Sequence, residues 1–168
     1  MPVQPSRSRA LYTADQRQRR DASPWTLVQG VLAPVQFLVF VVSLTMVLRY
    51  LANGEGYGLA CASVVVKTLA LYTIMVTGAI WERAVFGRYL FAPAFFWEDA
   101  VSMVVIALHT AYLASLFFAG IGPVQQMYLA LAAYATYVVN AAQFIFKLRM
   151  ARIEGRAPPV SHGMEAAR

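Results

Sequence analysis

The chain has 168 residues and a formal net charge of +6, with 60% hydrophobic and 13% charged residues and a mean hydropathy of +0.56. A soluble domain of this length could not bury so much apolar surface, so the composition predicts a polytopic membrane protein. The basic residues flank apolar stretches instead of forming one soluble patch. This distribution argues against nucleic acid as a partner and favours anionic lipid headgroups, or an anionic substrate that arrives at the membrane surface.

Four apolar stretches are each long enough to cross a bilayer as a helix, which needs about 20 residues. They run from about Trp25 to Tyr50, from Tyr57 to Trp81, from Glu98 to Phe118 and from Val124 to Phe146. We therefore predict an all-α fold in which residues 24–150 form a bundle of four transmembrane helices. A basic segment, 1–23, precedes the bundle, and a disordered tail, 151–168, follows it. We expect the first stretch to be retained, because it is about twice as long as a signal-peptide core. Cys61 is the single cysteine, so disulfides play no part.

The basic residues are distributed unevenly around these four stretches. Twelve of the 14 Lys and Arg residues precede the first stretch, lie between the second and third, or follow the fourth. They are Arg7, Arg9, Arg17, Arg19, Arg20, Arg83, Arg88, Lys147, Arg149, Arg152, Arg156 and Arg168. The other two loops, 52–56 and 119–122, contain none. The positive-inside rule therefore predicts that both termini and the central loop are cytoplasmic.

Short signals mark the starts of the first helices. Thr13 and Gln16 have capping-box spacing for a short juxtamembrane helix. Ser23 and Pro24 supply a cap and a first-turn proline for the first span. Pro34 lies inside that span and should bend it. Glycine-rich turns between the spans predict antiparallel neighbours.

The segment from Trp81 to Asp99, which we predict as the central cytoplasmic loop, carries seven aromatic residues and three carboxylates within 19 positions. One interpretation is an aromatic belt at the headgroup level, with paired or solvated charges. The other gives the acids a function. Glu98 and Asp99 open the third helix beside the interface, where a poorly solvated carboxyl group can keep its proton.

A polar stripe continues along the third helix. Its members follow spacings of four, three, four and three, which place them on one helix face: Glu98, Ser102, Val105, His109 and Tyr112. His109 has two interpretations. It is either a neutral imidazole hydrogen-bonded to a neighbouring helix or a functional group in line with Glu98.

The other helices carry polar residues at helical spacings as well. Lys67 is expected at a depth comparable to that of His109, where it extends outward to the interface, bonds to helix ends or takes a chemical role. Amides and hydroxyls recur on the first helix (Gln29, Gln36, Ser43, Tyr50) and on the fourth (Tyr137, Asn140, Gln143). Hydrogen bonds between helices are the expected role of these residues, and a polar lining for a ligand is the alternative.

Common catalytic signatures are missing from the sequence. It contains no zinc-type His and Cys spacing, no P-loop, no GxGxxG and no recognised nucleophile motif. An enzyme of this sequence would therefore work by acid–base chemistry or through a bound pigment or cofactor.

Three long segments resemble a known family. They are residues 20–34 (RDASPWTLVQGVLAP), residues 71–82 (LYTIMVTGAIWE) and residues 89–99 (YLFAPAFFWED) continuing to His109–Tyr112. These segments closely resemble the 3-vinyl (bacterio)chlorophyllide hydratase family of phototrophic bacteria, called 2-vinyl bacteriochlorophyllide hydratase in older naming. The resemblance covers about Arg20 to Lys147.

The resemblance implies addition of water to the 3-vinyl group of chlorophyllide a or 3-vinyl bacteriochlorophyllide a, which gives a 1-hydroxyethyl group in bacteriochlorophyll a synthesis. Such a substrate is a flat, apolar magnesium macrocycle with a free propionate. Arg83 or Arg88 could bind the propionate, and Trp81 and Trp97 could stack on the ring. Two further candidates for substrate binding are Lys67 and Tyr112. Other enzymes of the same synthesis are candidate partners.

The reaction requires a proton donor and a proton acceptor. A carboxylic acid that is still protonated near neutral pH, Glu98 or Glu82, would protonate the terminal vinyl carbon. Asp99 or His109 would then take a proton from the attacking water. His109 has a competing assignment as a ligand of the pigment magnesium. We expect no cofactor, because hydration changes no electron count.

Two other functions suit the same polar residues. In the first, a pigment-binding or assembly protein would hold a chlorophyll through His109 without catalysis. In the second, a small transporter would use Lys67, Glu98 and His109 as a proton or ion path.

Overall fold

The computed structural model describes residues 11–118 and 120–154, and this part of the chain is helical, without a strand. Five helices follow one another: α1 Ala14–Ala22, α2 Pro24–Asn53, α3 Tyr57–Phe86, α4 Phe96–Ser115 and α5 Pro123–Glu154. The all-α fold class is thereby confirmed. Parts of the predicted segments 1–23 and 151–168 lie outside the described residues, as do Arg7, Arg9, Arg156 and Arg168.

Three of the helices, α2, α3 and α5, are long and apolar enough to cross a membrane. Helix α4 is not among them, because Glu98, Asp99 and His109 lower the hydropathy of its 20 residues. The three apolar helices agree with the predicted membrane protein. A fourth span through α4 stays a prediction.

The predicted central loop, from Trp81 to Asp99, is too long. Helix α3 continues to Phe86, and α4 begins at Phe96, so the connection is only residues 87–95. Trp81, Glu82 and Arg83 therefore lie on the last turns of α3 and not in a loop. Gly87 ends that helix in the left-handed region, with φ of 79°, and its amide donates to the carbonyl of Arg83.

The four long helices share one apolar core and run antiparallel to their neighbours. The most extensive pairings are α2 with α3 and α4 with α5, and contacts of α2 with α5 and of α3 with α4 complete the arrangement. Trp81 near the end of α3 donates from Nε1 to Thr26 Oγ1 near the start of α2, at 3.0 Å. Gln126 near the start of α5 donates to the carbonyl of Ser115 at the end of α4, at 2.9 Å. The antiparallel arrangement predicted from the turns is confirmed.

One end of the bundle, which we call the basic end, is formed by α1, the start of α2, the end of α3, the start of α4 and the end of α5. An aromatic cluster centred on Tyr12, Val85 and Phe95 joins these elements. The described basic residues gather here: Arg17, Arg19, Arg20, Arg83, Arg88, Lys147, Arg149 and Arg152. Arg49, which is exposed near the opposite end of α2, is the exception besides the buried Lys67.

Two of the predicted helix starts have different outcomes. Thr13 caps α1, and its side chain and that of Gln16 make both hydrogen bonds of a capping box, as predicted. Ser23 occupies the cap position of α2 with Pro24 following, but its side chain makes no capping hydrogen bond, so that detail is wrong. The hydroxyl of Thr26 bonds the Arg20 carbonyl at this junction instead, at 2.6 Å.

Hydrogen bonds between the helices confirm the structural role expected for several polar residues. Gln29 donates to Thr77 Oγ1 at 2.8 Å and links α2 to α3. Asn140 donates to Ser102 Oγ at 2.8 Å and links α5 to α4. The hydroxyl of Ser43 lies 2.6 Å from that of Tyr134 and links α2 to α5.

Candidate functional site at the basic end

The polar stripe predicted on the third long helix is buried along its whole length. Glu98, Ser102, Val105, His109 and Tyr112 all face the interior of the bundle, and Asp99 is buried beside them. A helix with its carboxyl groups turned inward at its first turn needs partners for them from other elements. These partners define two pairs of residues at the basic end.

The first pair consists of Glu82 on α3 and Asp99 on α4, whose buried carboxyl groups lie close to each other. Two carboxylates repel each other, so their proximity favours a proton on one of the two. The connecting loop holds both groups in place. The amide of Phe91 donates to Asp99 Oδ2 at 2.7 Å, and that of Ala92 donates to Glu82 Oε2 at 3.2 Å.

The loop adopts an unfavourable backbone conformation to deliver these amides. Phe91 has φ of 58°, and among the described residues it is the one non-glycine residue in the left-handed region. Such a conformation costs of order 1–3 kcal/mol and persists where the surrounding structure enforces it. Here the amides of Phe91 and Ala92 hydrogen-bond to the buried carboxyl groups, and these two bonds offset the strain. They also hold the two carboxyl groups at a fixed spacing.

The second pair is an ion pair between Glu98 and Lys147. Lys147 Nζ lies 2.5 Å from Glu98 Oε2 and about 5.0 Å from the ring centroid of Phe95. Lys147 was not among the site residues predicted from the sequence. The signal was present, because Lys147 lies four residues after Gln143 and continues the stripe of Tyr137, Asn140 and Gln143 on α5.

A groove opens beside this ion pair. It has a volume of about 320 Å³ and is lined by Leu11, Glu98, Gln143, Phe146, Lys147, Met150 and Ala151. Its walls are mainly apolar, and its polar groups are the ion pair and the amide of Gln143. The groove can therefore admit an apolar edge of a ligand that also carries a charged substituent.

Lys67, His109 and Tyr112 lie deep in the bundle, away from this groove, and each is fully buried. The interpretation of Lys67 as extending to the interface is wrong. Its ammonium lies 3.7 Å from the ring centroid of Tyr137 instead. Substrate contact by Lys67 or Tyr112 would require the helices to separate.

His109 does not make the expected hydrogen bond to another helix. Its Nδ1 lies 2.8 Å from the Val105 carbonyl on its own helix. Its Nε2 has no hydrogen-bond partner among the described residues. Protein atoms cover the whole side chain, so a pigment magnesium could not reach Nε2 in this arrangement.

The remaining predicted binding residues are divided between the interior and the surface. Trp81 packs edge-on against Phe86 and Phe95 and uses its N–H on Thr26, which makes it part of the aromatic cluster. Trp97 is 71% exposed.

The two predicted arginines lie on the surface. Arg83 is exposed, with its guanidinium 4.6 Å from the ring centroid of Tyr89. Arg88 is also exposed. Exposed aromatic rings of Phe91 and Phe96 pack on each other near Trp97, with centroids 5.7 Å apart.

Metal binding by the protein itself has no support in the described ranges, 11–118 and 120–154. Within them no group of three or more His, Cys, Asp or Glu side chains is arranged to hold a metal ion. The carboxyl groups of the site are chemically suited to proton transfer, and they lie next to an apolar groove that contains a cation.

Comparison with known families identifies the family of this chain. A family model described as 2-vinyl bacteriochlorophyllide hydratase matches residues 12–150, which include every member of both pairs. The chain belongs to this hydratase family. The resemblance seen in the sequence is confirmed.

Two relatives of the chain support its assignment to the hydratase family over most of its length. The 2-vinyl bacteriochlorophyllide hydratase of Cereibacter sphaeroides is 68% identical over 149 residues, which cover 89% of this chain and 92% of the relative. The protein of the same name from Rhodobacter capsulatus is 65% identical over 153 residues, or 91% and 88% of the two chains. No solved structure matches the chain.

Proposed function

We propose that this chain hydrates the 3-vinyl group of chlorophyllide a or 3-vinyl bacteriochlorophyllide a and gives the 3-(1-hydroxyethyl) product. Membership of the hydratase family and the names of two relatives support this reaction. The observation that carries the mechanism is the buried carboxyl pair of Glu82 and Asp99, in which repulsion between the two groups favours a proton on one of them.

The pair can supply both proton transfers that the reaction needs. Its shared proton goes to the terminal vinyl carbon as the carbon–carbon double bond breaks. The resulting positive charge lies on the carbon attached to the ring and spreads into the macrocycle. Water attacks that carbon, and the carboxylate left on the pair accepts a proton from the water. The pair regains its proton, and the net change is the addition of one water.

Glu98 is less suited to the role of acid. Its side chain is already engaged in the contact with the Lys147 ammonium. Glu82 and Asp99 meet each other and two backbone amides instead of a cation. We therefore assign the acid to the pair and give Glu98 the task of holding Lys147. His109 takes no part, since it is buried on the same helix two turns or more from Glu98.

The proposed site lies on the cytoplasmic side of a membrane that the chain crosses four times. The gathering of the described basic residues at one end supports this orientation. Exposed rings of Tyr89, Phe91, Phe96 and Trp97 near the start of α4 would lie at the headgroup level there, where aromatic side chains are favoured. They offer a surface on which an apolar macrocycle can lie while its vinyl group approaches the pair.

The test uses membranes that contain the chain and chlorophyllide a as substrate. Wild-type protein should give a product that is heavier by one water and lacks the vinyl group. Glu82→Gln and Asp99→Asn keep a hydrogen bond within the pair but remove its acidic proton. Turnover should fall by roughly 10²- to 10⁴-fold in each, the usual cost of losing a general acid. Pigment binding should persist in both.

Glu55→Gln is the matched control, because Glu55 is an exposed carboxylate at the opposite end of the bundle. It should behave like wild type. Normal turnover in both pair variants would move the acid to Glu98. If the wild type binds pigment but forms no hydrated product, the reaction is wrong and the function as a pigment-binding protein gains support.

A further inference from the structure

The groove beside the second pair has the chemistry of a carboxylate-binding site. Its walls include Leu11, Phe146 and Met150, and its cation is Lys147. The Lys147 side chain is only 25% exposed. A cation that is partly shielded from water by apolar walls attracts an anion more strongly than one on the open surface.

Lys147 has donors to spare for such an anion. An ammonium has three N–H donors, and the described structure assigns one of them, to Glu98 Oε2. The charged ammonium also lies near the face of Phe95, which fixes its position without using a donor. Gln143 also lines the groove.

Arg83 and Arg88, the residues first considered for this task, are placed less favourably. Both are exposed, and the guanidinium of Arg83 stacks on Tyr89. An exposed ion pair contributes little, since water screens it. Neither arginine lines the groove.

We propose that Lys147 binds the free propionate of the substrate and makes the enzyme selective for the free acid over its esters. The proposal rests on the proposed function, because it takes a chlorophyllide as the ligand. The propionate would compete with Glu98 for the ammonium, and the edge of the macrocycle would fill the apolar part of the groove. Lys147 is thus a specificity-determining residue next to the carboxyl pair on the same end of the bundle.

The test compares chlorophyllide a with its propionate methyl ester, which keeps the macrocycle and the vinyl group but removes the negative charge. Binding of each is measured from the pigment absorption bands on the purified full chain, so this readout does not depend on turnover. Wild type should bind the acid about 10- to 100-fold more tightly than the ester, the range expected for one charge-assisted hydrogen bond.

Variants at the ion pair should shift this ratio in opposite directions. Lys147→Gln should bind acid and ester equally, and Lys147→Arg should retain part of the preference. Glu98→Gln should raise the preference for the acid, because Lys147 then has no competing carboxylate. Arg149→Gln, which removes an exposed cation two residues away and outside the groove, should keep the wild-type ratio.

The acid-to-ester ratio separates recognition from damage to the fold. A misfolded Lys147→Gln would lose both ligands together, whereas Lys147→Arg and Glu98→Gln would still test the proposal. Equal binding of acid and ester by wild type, or an unchanged ratio in a folded Lys147→Gln, would overturn it. Failure of hydration with a normal acid preference would reject the proposed reaction and leave the carboxylate site standing.

Discussion

Glu98 and Asp99 are neighbours in the sequence, yet their surroundings give them different chemistry. Glu98 meets the ammonium of Lys147, whereas Asp99 meets the carboxyl group of Glu82 and the amide of Phe91. A neighbouring like charge favours the protonated form of a carboxyl group. Two acids one position apart can therefore divide the tasks of holding a cation and carrying a proton.

We expect a structural role for His109, which a single substitution can check. His109→Gln keeps hydrogen-bonding capacity but cannot bind a pigment magnesium as an imidazole does. Since the side chain is fully buried, pigment absorption and turnover should stay near wild type. The altered packing should cost about 1–3 kcal/mol of stability, a common loss for a buried substitution.

Thermal unfolding in detergent would measure that loss, and absorption spectra would report the pigment. A shifted pigment spectrum with weaker binding would instead identify His109 as the magnesium ligand. Intact binding with slow turnover would make it the catalytic base.

At the scale of elements, the loop of residues 87–95 determines whether the carboxyl pair forms. It begins at Gly87 in the left-handed region and passes through Phe91 in the same region. The amides of Phe91 and Ala92 then reach the two acids. The conformation of this loop is therefore part of the proposed catalytic site.

Gly87→Ala tests this dependence without adding a steric clash, because nothing lies within 4 Å of the new Cβ position. The left-handed backbone should cost about 1–2 kcal/mol and lower turnover by displacing the loop. Gly30→Ala, in the interior of α2 and equally free of contacts, should instead stabilise by about 0.5–1 kcal/mol.

Both variants replace glycine by alanine, but Gly87→Ala should lower stability and Gly30→Ala should raise it. Unfolding midpoints measure the stability of each variant, and hydration rates measure its activity. If Gly87→Ala retained full stability and activity, the loop would not be constrained as described.

The elements that sequence could predict are those governed by periodicity. The four long helices begin and end within a few residues of apolar stretches, except where α3 and α5 extend past them, and the α4 stripe is buried as its spacing indicates. The pairing of Glu82 with Asp99 could not be predicted, because it depends on how a short loop folds back between two helices. Lys147 continues the polar stripe of α5, but it was missed because a basic residue after a span is usually solvated, whereas here it contacts Glu98.

For the whole molecule, the two ends of the bundle differ in charge and in contacts. One end holds the aromatic packing around Tyr12 and Phe95 and the ion pair. It also holds the described basic residues apart from Arg49 and Lys67. The opposite end has the short turn after α2 and the turn before α5. This asymmetry suits a protein whose basic end faces the cytoplasm.

Cysteine labelling in a Cys61→Ala background would test this topology. Cysteines at Asn53 and Gly120 should react with an impermeant reagent from the periplasm, and one at Arg88 only after the membrane is opened. All three positions are exposed. Ser161, a further cytoplasmic expectation, lies outside the described residues. Labelling of position 88 from outside intact cells would reverse the orientation, and a shared side for positions 88 and 120 would exclude α4 as a span.

The burial of Lys67 also makes the chain convenient for chemical footprinting. The sequence contains two lysines, of which Lys67 is fully enclosed and Lys147 lines the groove. In the folded protein an amine-reactive reagent would therefore modify Lys147 in preference to Lys67, besides the terminal amine. Mass spectrometry of the one peptide that holds Lys147 would then report occupancy of the groove, without a tag, a radioactive ligand or an introduced reporter group.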